Sequence, residues 1–540
     1  MTAAAAPPAE VVVGLDIGTT GVKAVAFGLP PSWRRVAIRE YPLLQPQPGW
    51  QVQEPEAILD ATATALAECV AAAAGAEVIA IALSTAMHGL IGVDAELRPL
   101  TPLITWADAR ARAEARMLRA SGQGSELHRR TGAPVHSMTP LAKLMWLQRH
   151  EPRICRDARW WLGLKDYLLL RLTGAVATEL SSASGTGLLD MASRSWSTAA
   201  VELAGISVDQ LPEILPTTAT LALSATAARR VGLRAGTPVV AGAADGPLGN
   251  LGTRAMAPGV AGLSLGTSGA VRMVVPEPRV DDEGALFCYA LTDAVWVAGG
   301  AVSNGGIVVR WAGRALAPDL QDAGPGRTDE AVLALAASAP AGCDGLVMLP
   351  YLLAERAPLW DPDVPGAYLG LRRDHGRAHL VRAAVEGVCL QLRVILDQLD
   401  RLHPVRSVRV TGGALRSPLW RDVLAAALDR PLHTVGDAEG TALGAAALGV
   451  FALGRAPGLT EAVAALAGPD TATTTPPVVA DPALVAVYER TRAAVPELIE
   501  ALAPVAALFG RGEIARSGPP PRASGYPEGE LIDPQALDWS

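Results

Sequence analysis

Lysine is almost missing from this 540-residue chain: Lys23, Lys143 and Lys165 stand among 46 basic residues, and the rest are arginine. A general bias toward arginine explains the scarcity. The three survivors then mark places where a compact ammonium is wanted and a broad guanidinium is not. Basic charge is also short overall. The formal net charge of −8 gives no footprint for nucleic acid or an anionic membrane surface. Cysteine is sparse, odd in number and scattered (Cys69, Cys155, Cys288, Cys343, Cys389). No CxxC or Cys/His spacing suggests zinc or a redox pair, and the pattern fits reduced thiols in a cytoplasm. Met1–Glu10 is Ala/Pro-rich and lacks the basic start and apolar centre of a signal peptide. The longest apolar stretches, Ala71–Leu83 and Thr441–Leu453, are Ala/Gly-rich, short or broken by Glu77, well under the ~20 residues a bilayer span needs. What remains is an ordinary globular composition, 50% apolar and 19% charged, with length for two or three domains. A cytoplasmic protein is expected.

The most informative feature present is an internal echo. Gly14-Leu15-Asp16-Ile17-Gly18-Thr19-Thr20-Gly21 recurs as Gly262-Leu263-Ser264-Leu265-Gly266-Thr267-Ser268-Gly269. Each copy sits between apolar runs, which predicts strand, tight glycine turn, strand. Two copies half a chain apart predict duplicated domains, with the break near Gly252–Gly262. After the first hairpin, Arg35–Tyr41 reads as a strand, Glu54–Ala74 as a helix and Glu77–Leu83 as a buried strand. After the second, Phe287–Ala298 continues the meander. His379–Leu399, Pro418–Leu428, Thr441–Leu453 and Pro482–Leu508 read as helices, Ser407–Val410 as a strand and Gly468–Asp481 as a loop. Hairpins followed by helix–strand units imply an α/β fold with a mixed sheet in each half. The segment from Gly510 is Pro/Gly/Ser-rich and is expected to be disordered.

The residues suggest chemistry at four places. The two Gly-Thr turns bare their backbone N–H groups to phosphate oxygens, and Thr19, Thr20, Thr267 and Ser268 add hydroxyl donors. One such turn is ordinary hairpin chemistry, but a matched pair facing each other clamps a polyphosphate. Asp16 ends its strand, where it can hold a hydrated Mg²⁺ through water, and Lys23 can neutralise phosphate charge. In Val239-Val240-Ala241-Gly242-Ala243-Ala244-Asp245-Gly246-Pro247 a buried strand delivers a lone carboxylate. Asp245 can take the proton of a hydroxyl attacking a phosphoryl group, or simply cap the next helix. Ser84-Thr85-Ala86-Met87-His88-Gly89 and Thr105-Trp106-Ala107-Asp108-Ala109-Arg110 place polar groups beside an aromatic, as a polyol site does. Core packing is the alternative for His88 and Trp106. Last, Thr411-Gly412-Gly413-Ala414-Leu415-Arg416-Ser417 lets a flat base or phosphate lie on bare backbone, or is a plain loop.

Together these segments resemble the FGGY carbohydrate kinases, from about Val11 to Val450. One family signature is met throughout: Gly366-Ala367-Tyr368-Leu369-Gly370-Leu371, seven residues, then His379-Leu380 and Ala383-Ala384-Val385-Glu386. The resemblance implies two ribonuclease H-like domains of the actin/sugar-kinase superfamily with an interdomain active-site cleft. The first would span 11–255 and the second 256–508, between a disordered 1–10 and a disordered tail, 509–540. It implies ATP and Mg²⁺. Thr19, Thr20 and Lys23 would line the phosphates from one side, Gly266 and Thr267 from the other, and Gly306, Arg310, Gly413 and Ser417 would flank the nucleotide. Asp16 and Asp245 would hold Mg²⁺ through water, Asp245 would be the general base, and Met87 and His88 would touch the sugar.

Within the family the chain looks most like the kinases of gluconate. The stretches are Ile104-Thr105-Trp106-Ala107-Asp108, Arg130-Thr131-Gly132-Ala133-Pro134-Val135-His136, Thr139-Pro140-Leu141-Ala142-Lys143, Ser303-Asn304-Gly305-Gly306 and Ala354-Glu355-Arg356-Ala357-Pro358. The implied reaction turns D-gluconate and ATP into 6-phospho-D-gluconate and ADP. A carboxylate-bearing substrate needs a cationic or N–H-rich partner, for which Arg110, His136 and Lys143 are the candidates, with Trp106 and Asp108 against the hydroxyls. Xylulose kinases share Met-His-Gly and Trp-x-Asp, so a pentulose or other polyol is the alternative, and an actin- or chaperone-like ATPase a remote one. The implied partner is a small sugar acid or polyol, not nucleic acid or membrane, and a homodimer is allowed.

Overall fold

Val11, Val12, Val13, Leu15 and Ile17 are all fully buried, because the strand they form is covered on both faces. In the computed structural model, which describes residues 8–508 apart from 30, 32, 324–326, 437–438 and 471–475, this strand is β1 (Glu10–Ile17). It turns into antiparallel β2 (Gly21–Leu29) and β3 (Arg34–Glu40). Helix α1 (Pro55–Ala72), with Pro55 at its first turn where a missing N–H costs nothing, leads to β4 (Glu77–Thr85). β4 pairs parallel to β1. After a helical region, β5 (Thr220–Ala222) and β6 (Pro238–Ala244) complete a six-stranded sheet in the order β5-β6-β4-β1-β2-β3. Helix α2 (Asp245–Gly252) follows β6 at once.

The second half repeats the plan. β7 (Val260–Leu265), β8 (Gly269–Val275), β9 (Phe287–Thr292) and β10 (Val295–Val302) form antiparallel pairs. Helices α3 (Gly306–Leu316) and α4 (Arg377–Leu402) precede β11 (Ser407–Thr411), which is parallel to β7. Helix α5 (Pro418–Leu428) and β12 (Leu432–Thr434) follow, and the sheet order is β9-β10-β8-β7-β11-β12. The runs β3-β2-β1-β4-β6 and β10-β8-β7-β11-β12 correspond strand for strand, which is the duplication the Gly-Thr echo announced.

The halves are joined by α6 (Gly440–Ala452), a helix of Ala, Gly and Leu. It lies against β1 and α2, so its small residues serve close backbone approach. A Cβ on Gly444 would lie 2.0 Å from the Leu248 carbonyl oxygen, and one on Gly14 2.1 Å from that of Ala442. The apolar cluster here takes Val12, Val25 and Ala82 from the first sheet and Leu291 and Val297 from the second. No helix among the described residues is long and apolar enough to cross a membrane.

The helices and strands read from the sequence match these within a few residues. The region 112–215 was not anticipated: short helices pack there around Leu144, Trp161 and Val201, on patterns too short to show a period. Glu10 already pairs with Leu29, so the chain is ordered inside the expected N-terminal disorder. The expectations for 1–7 and 509–540 lie outside the described residues.

Candidate functional site

Each glycine turn is closed by the N–H of its first glycine, the second turn one residue tighter than the first. Gly18 N–H donates to Gly21 O and Gly266 N–H to Ser268 O, both at 2.9 Å. Around the second turn the structure gathers the expected nucleotide residues. Gly306 N–H donates to Gly266 O at 2.8 Å, and the Arg310 guanidinium to the Thr267 hydroxyl at 2.8 Å. The Gly412-Gly413 turn abuts the end of β7: Gly412 has φ +122°, and a Cβ there would lie 2.1 Å from Leu265 O. Ser417 directly precedes α5.

Asp16 lies opposite Lys23 on β2 and Ser84 on β4. Burial first, then the charge of Asp245, push its carboxyl up to about 7, against the pull of Lys23 and Ser84. Asp245 opens α2 and accepts a 2.7 Å bond from Gly246 N–H. Burial raises its pKa, and Arg272 is the strongest influence holding it down. Two acids that titrate high in one place invite a cation. No cluster of three or more His, Cys, Asp or Glu suited to a metal occurs among the described residues. A cation here would therefore draw most of its ligands from water and phosphate oxygens, the habit of Mg²⁺.

On the sugar side, His88 is held in the left-handed region at φ +65°, an uncommon conformation for a residue with a side chain. Its Nδ1 lies 2.7 Å from Gly185 O, so Nδ1 carries the proton and Nε2 is free to accept a hydroxyl. Burial drives its pKa down to about 3, so the ring is neutral. Lys143 donates to His88 O at 2.5 Å and Ile104 O at 3.1 Å, and burial lowers its pKa to about 7. It holds the strained His88 backbone in place and does not reach outward. His136 is also neutral, lowered to about 3 by burial. Its Nδ1 accepts from Met138 N–H, which leaves a buried Nε2–H without a partner. Trp106 donates to the Thr19 hydroxyl at 2.7 Å. Met87, Trp106 and Thr19 line a hollow of about 230 Å³. A larger one, about 550 Å³, lies behind Met87 and His88 and includes neither Asp16, Asp245 nor a glycine turn.

Arg110 lies close enough to Lys143 for its charge to be felt there, but it does not line the hollow beside Thr19. Its guanidinium forks onto Asp108 with two 2.8 Å bonds and stacks on Trp50, 3.7 Å from the ring centroid. Asp108 also accepts from Gln51 N–H. The pair satisfies its own hydrogen bonds, and both charges are felt at Lys143.

Three further polar residues lie about Trp106, Asp245 and His88. Arg356 donates to Val302 O at 2.9 Å and the Ser303 hydroxyl at 3.2 Å, and covers the Trp106 ring at 4.7 Å. Arg272, on β8, lies across the start of α2 with its Nε sealed and unpartnered. The Tyr289 hydroxyl is likewise buried and unpartnered, its ring against His88 at 5.7 Å. Arg356 stood inside a quoted motif, but Arg272 and Tyr289 had no signal beyond their strands. Of the three lysines, Lys143 and Lys165 are fully buried, and Lys165 pairs with Glu179 at 2.5 Å.

The geometry can be set beside known proteins. Residues 11–252 match the N-terminal domain, and 261–453 the C-terminal domain, of the FGGY family of carbohydrate kinases. The chain is 37% identical to the gluconokinase of Bacillus subtilis (strain 168), over 82% of this chain and 88% of that one. It is 33% identical to the xylulose kinase of Escherichia coli (strain K12), over 82% and 90%. The crystal structure of gluconate kinase from Lactobacillus acidophilus superposes with a TM-score of 0.87 at 31% identity, covering 93% of this chain and 100% of that one. With two domain matches over most of its length and the duplicated sheets to go with them, the chain belongs to the FGGY family of carbohydrate kinases.

Proposed function

We propose that this carbohydrate kinase transfers the γ-phosphoryl group of ATP to the primary hydroxyl of D-gluconate, giving 6-phospho-D-gluconate, in the cytoplasm. The observation that carries the reading is Asp245. It is a partly buried carboxylate at a helix start, on the first half of the fold, within reach of the Arg272 charge of the second. In this reading Asp245 accepts the proton of the substrate hydroxyl as that oxygen attacks phosphorus and the bond to ADP breaks. Thr19, Thr20 and Lys23 hold the phosphates from one side and Gly266 and Thr267 from the other, while Gly306, Arg310, Gly413 and Ser417 flank the nucleotide. Asp16 and Asp245 would hold Mg²⁺ through water, and the bound ion would neutralise phosphate charge. Met87, His88, His136 and Trp106 shape the sugar pocket, with Lys143 behind His88.

The gluconate assignment draws on the gluconokinase relative and on the cationic wall of Arg272 and Arg356. A second reading, a kinase of xylulose or another polyol, is favoured by the E. coli relative. ADP release with Mg²⁺-ATP across gluconate, D-xylulose, L-ribulose, glycerol, erythritol and no sugar separates them. Turnover on gluconate is expected, and Asp245→Asn should lose it by about 10²–10⁴-fold with its fold intact. Turnover on xylulose and none on gluconate would overturn the assignment.

A further inference from the structure

We propose that Arg272 is the residue that binds the substrate carboxylate and so selects sugar acids over neutral polyols. The inference rests on the gluconate reading and gives it a specific residue.

The argument begins with what each cation already does. Arg110 is spent on Asp108 and the ring of Trp50. Lys143 is spent on two backbone carbonyls. Lys165 is locked to Glu179. Arg356 uses two of its donors on Val302 and Ser303 and its face on Trp106. Arg272 differs from all of these. Its Nε is buried without a hydrogen-bond partner, and it makes no ion pair with Asp245, although its charge is felt there. A buried guanidinium N–H left without an acceptor is costly unless an anion completes it.

Its surroundings sharpen the point. The guanidinium lies against Gly246, where a Cβ would come within 3.2 Å of Nε. That is the first turn of α2, the positive end of a helix, where a cation is disfavoured and an anion favoured. Arg356 adds a second positive charge: burial first, and the Arg272 charge after it, disfavour its protonated form. The Tyr289 hydroxyl, near enough for Arg272 to feel it, is a buried donor with no partner, and so is the His136 Nε2–H on the Arg356 side. A planar carboxylate matches a guanidinium in two-pronged fashion.

The test is a cycle of protein and substrate: kcat/KM of wild type and Arg272→Gln on D-gluconate and on D-gluconamide, which differs in having no carboxylate charge. Arg272→Gln should cut kcat/KM on gluconate by about 100-fold, chiefly through KM, and on gluconamide by much less. Arg272→Lys should recover part of the loss. Gluconate should also stop protecting the Arg272→Gln protein against heat, while Mg²⁺-ATP still does; this needs only ligand binding. Equal losses on both substrates would overturn the assignment and make Arg272 a partner of Asp245 or of the phosphoryl group. Unchanged gluconate kinetics would overturn it as well. Wild-type protein that ignores gluconate and turns over xylulose would sink the substrate reading, and this residue's role with it.

Discussion

The indole N–H of Trp106 donates to the hydroxyl of Thr19 at 2.7 Å, which ties the wall of the proposed sugar pocket to the first glycine turn. A residue proposed for the phosphates and one proposed for the substrate therefore share a hydrogen bond. Thr19→Val keeps the shape and removes the acceptor. One such bond is worth about 1 kcal/mol, so KM for both ATP and gluconate should rise by roughly five-fold, and Thr19→Ser should stay near wild type. A change confined to ATP would mean that the bond does not couple the two sites.

The second turn allows a cleaner separation of folding from binding. Nothing lies within 4 Å of where a Cβ on Gly266 would sit, and its φ is not in the left-handed region, so Gly266→Ala should melt within a degree or two of wild type. The same methyl would occupy the space over the bare backbone where a phosphate is proposed to rest. KM for ATP should therefore rise by roughly ten-fold or more, the scale of a displaced charged hydrogen bond. An unaltered KM would remove this turn from the phosphate site. Gly444→Ala is the contrast. Its Cβ would meet backbone at 2.0 Å, so it should lower the unfolding midpoint clearly.

How much of this was legible follows from where the signals lie. The Gly-Thr echo is local and repeated, so it announced both the duplicated sheets and the hairpins, and Asp16 and Asp245 stood out as lone acids at strand ends. Arg110 looked available because it is a cation in the polar segment that holds Trp106 and Asp108. Only the fold shows that the pair closes on itself and that Trp50 covers it. Arg272 was invisible for the converse reason. In sequence it is one polar position in an apolar strand, and what isolates it is the approach of Gly246 from the other half. The short helices of 112–215 lacked a period long enough to read.

Lys165 and Glu179 form a buried pair whose two members are not equally replaceable. Glu179 also accepts the amides of Ser181 (2.5 Å) and Ser182 (2.9 Å), so it caps the short helix that follows. Lys165→Met leaves the carboxylate with those two donors. Glu179→Leu strands both a buried ammonium and two amides. Breaking such a pair costs about 3–5 kcal/mol, and losing the cap adds about 1 kcal/mol. Denaturant midpoints should rank wild type above Lys165→Met and Lys165→Met above Glu179→Leu. The reverse order of the two variants would show that the cap contributes nothing.

Asp16 gives the stability of the ligand-free protein a pH dependence whose sign can be worked out. Its carboxyl titrates at about 7 in the fold and at about 3.9 in an unfolded chain. Between these values the folded state holds the extra proton, so this residue's contribution falls as pH rises from about 4 to about 7. His88 and His136, both lowered to about 3, act in the opposite sense below about 6.5, the ordinary histidine value. Asp16→Asn leaves those histidines in place, so the quantity to measure is the melting temperature of Asp16→Asn minus that of wild type. That difference should grow from pH 5 to about pH 7 and level off by pH 8. At pH 8, Mg²⁺-ATP should then raise the wild-type melting temperature more than the variant's, because only the wild type has a charge for the ion to neutralise. A difference that stays flat across the range would mean that Asp16 is already ionised at pH 5, and that the Asp245 charge does not reach it.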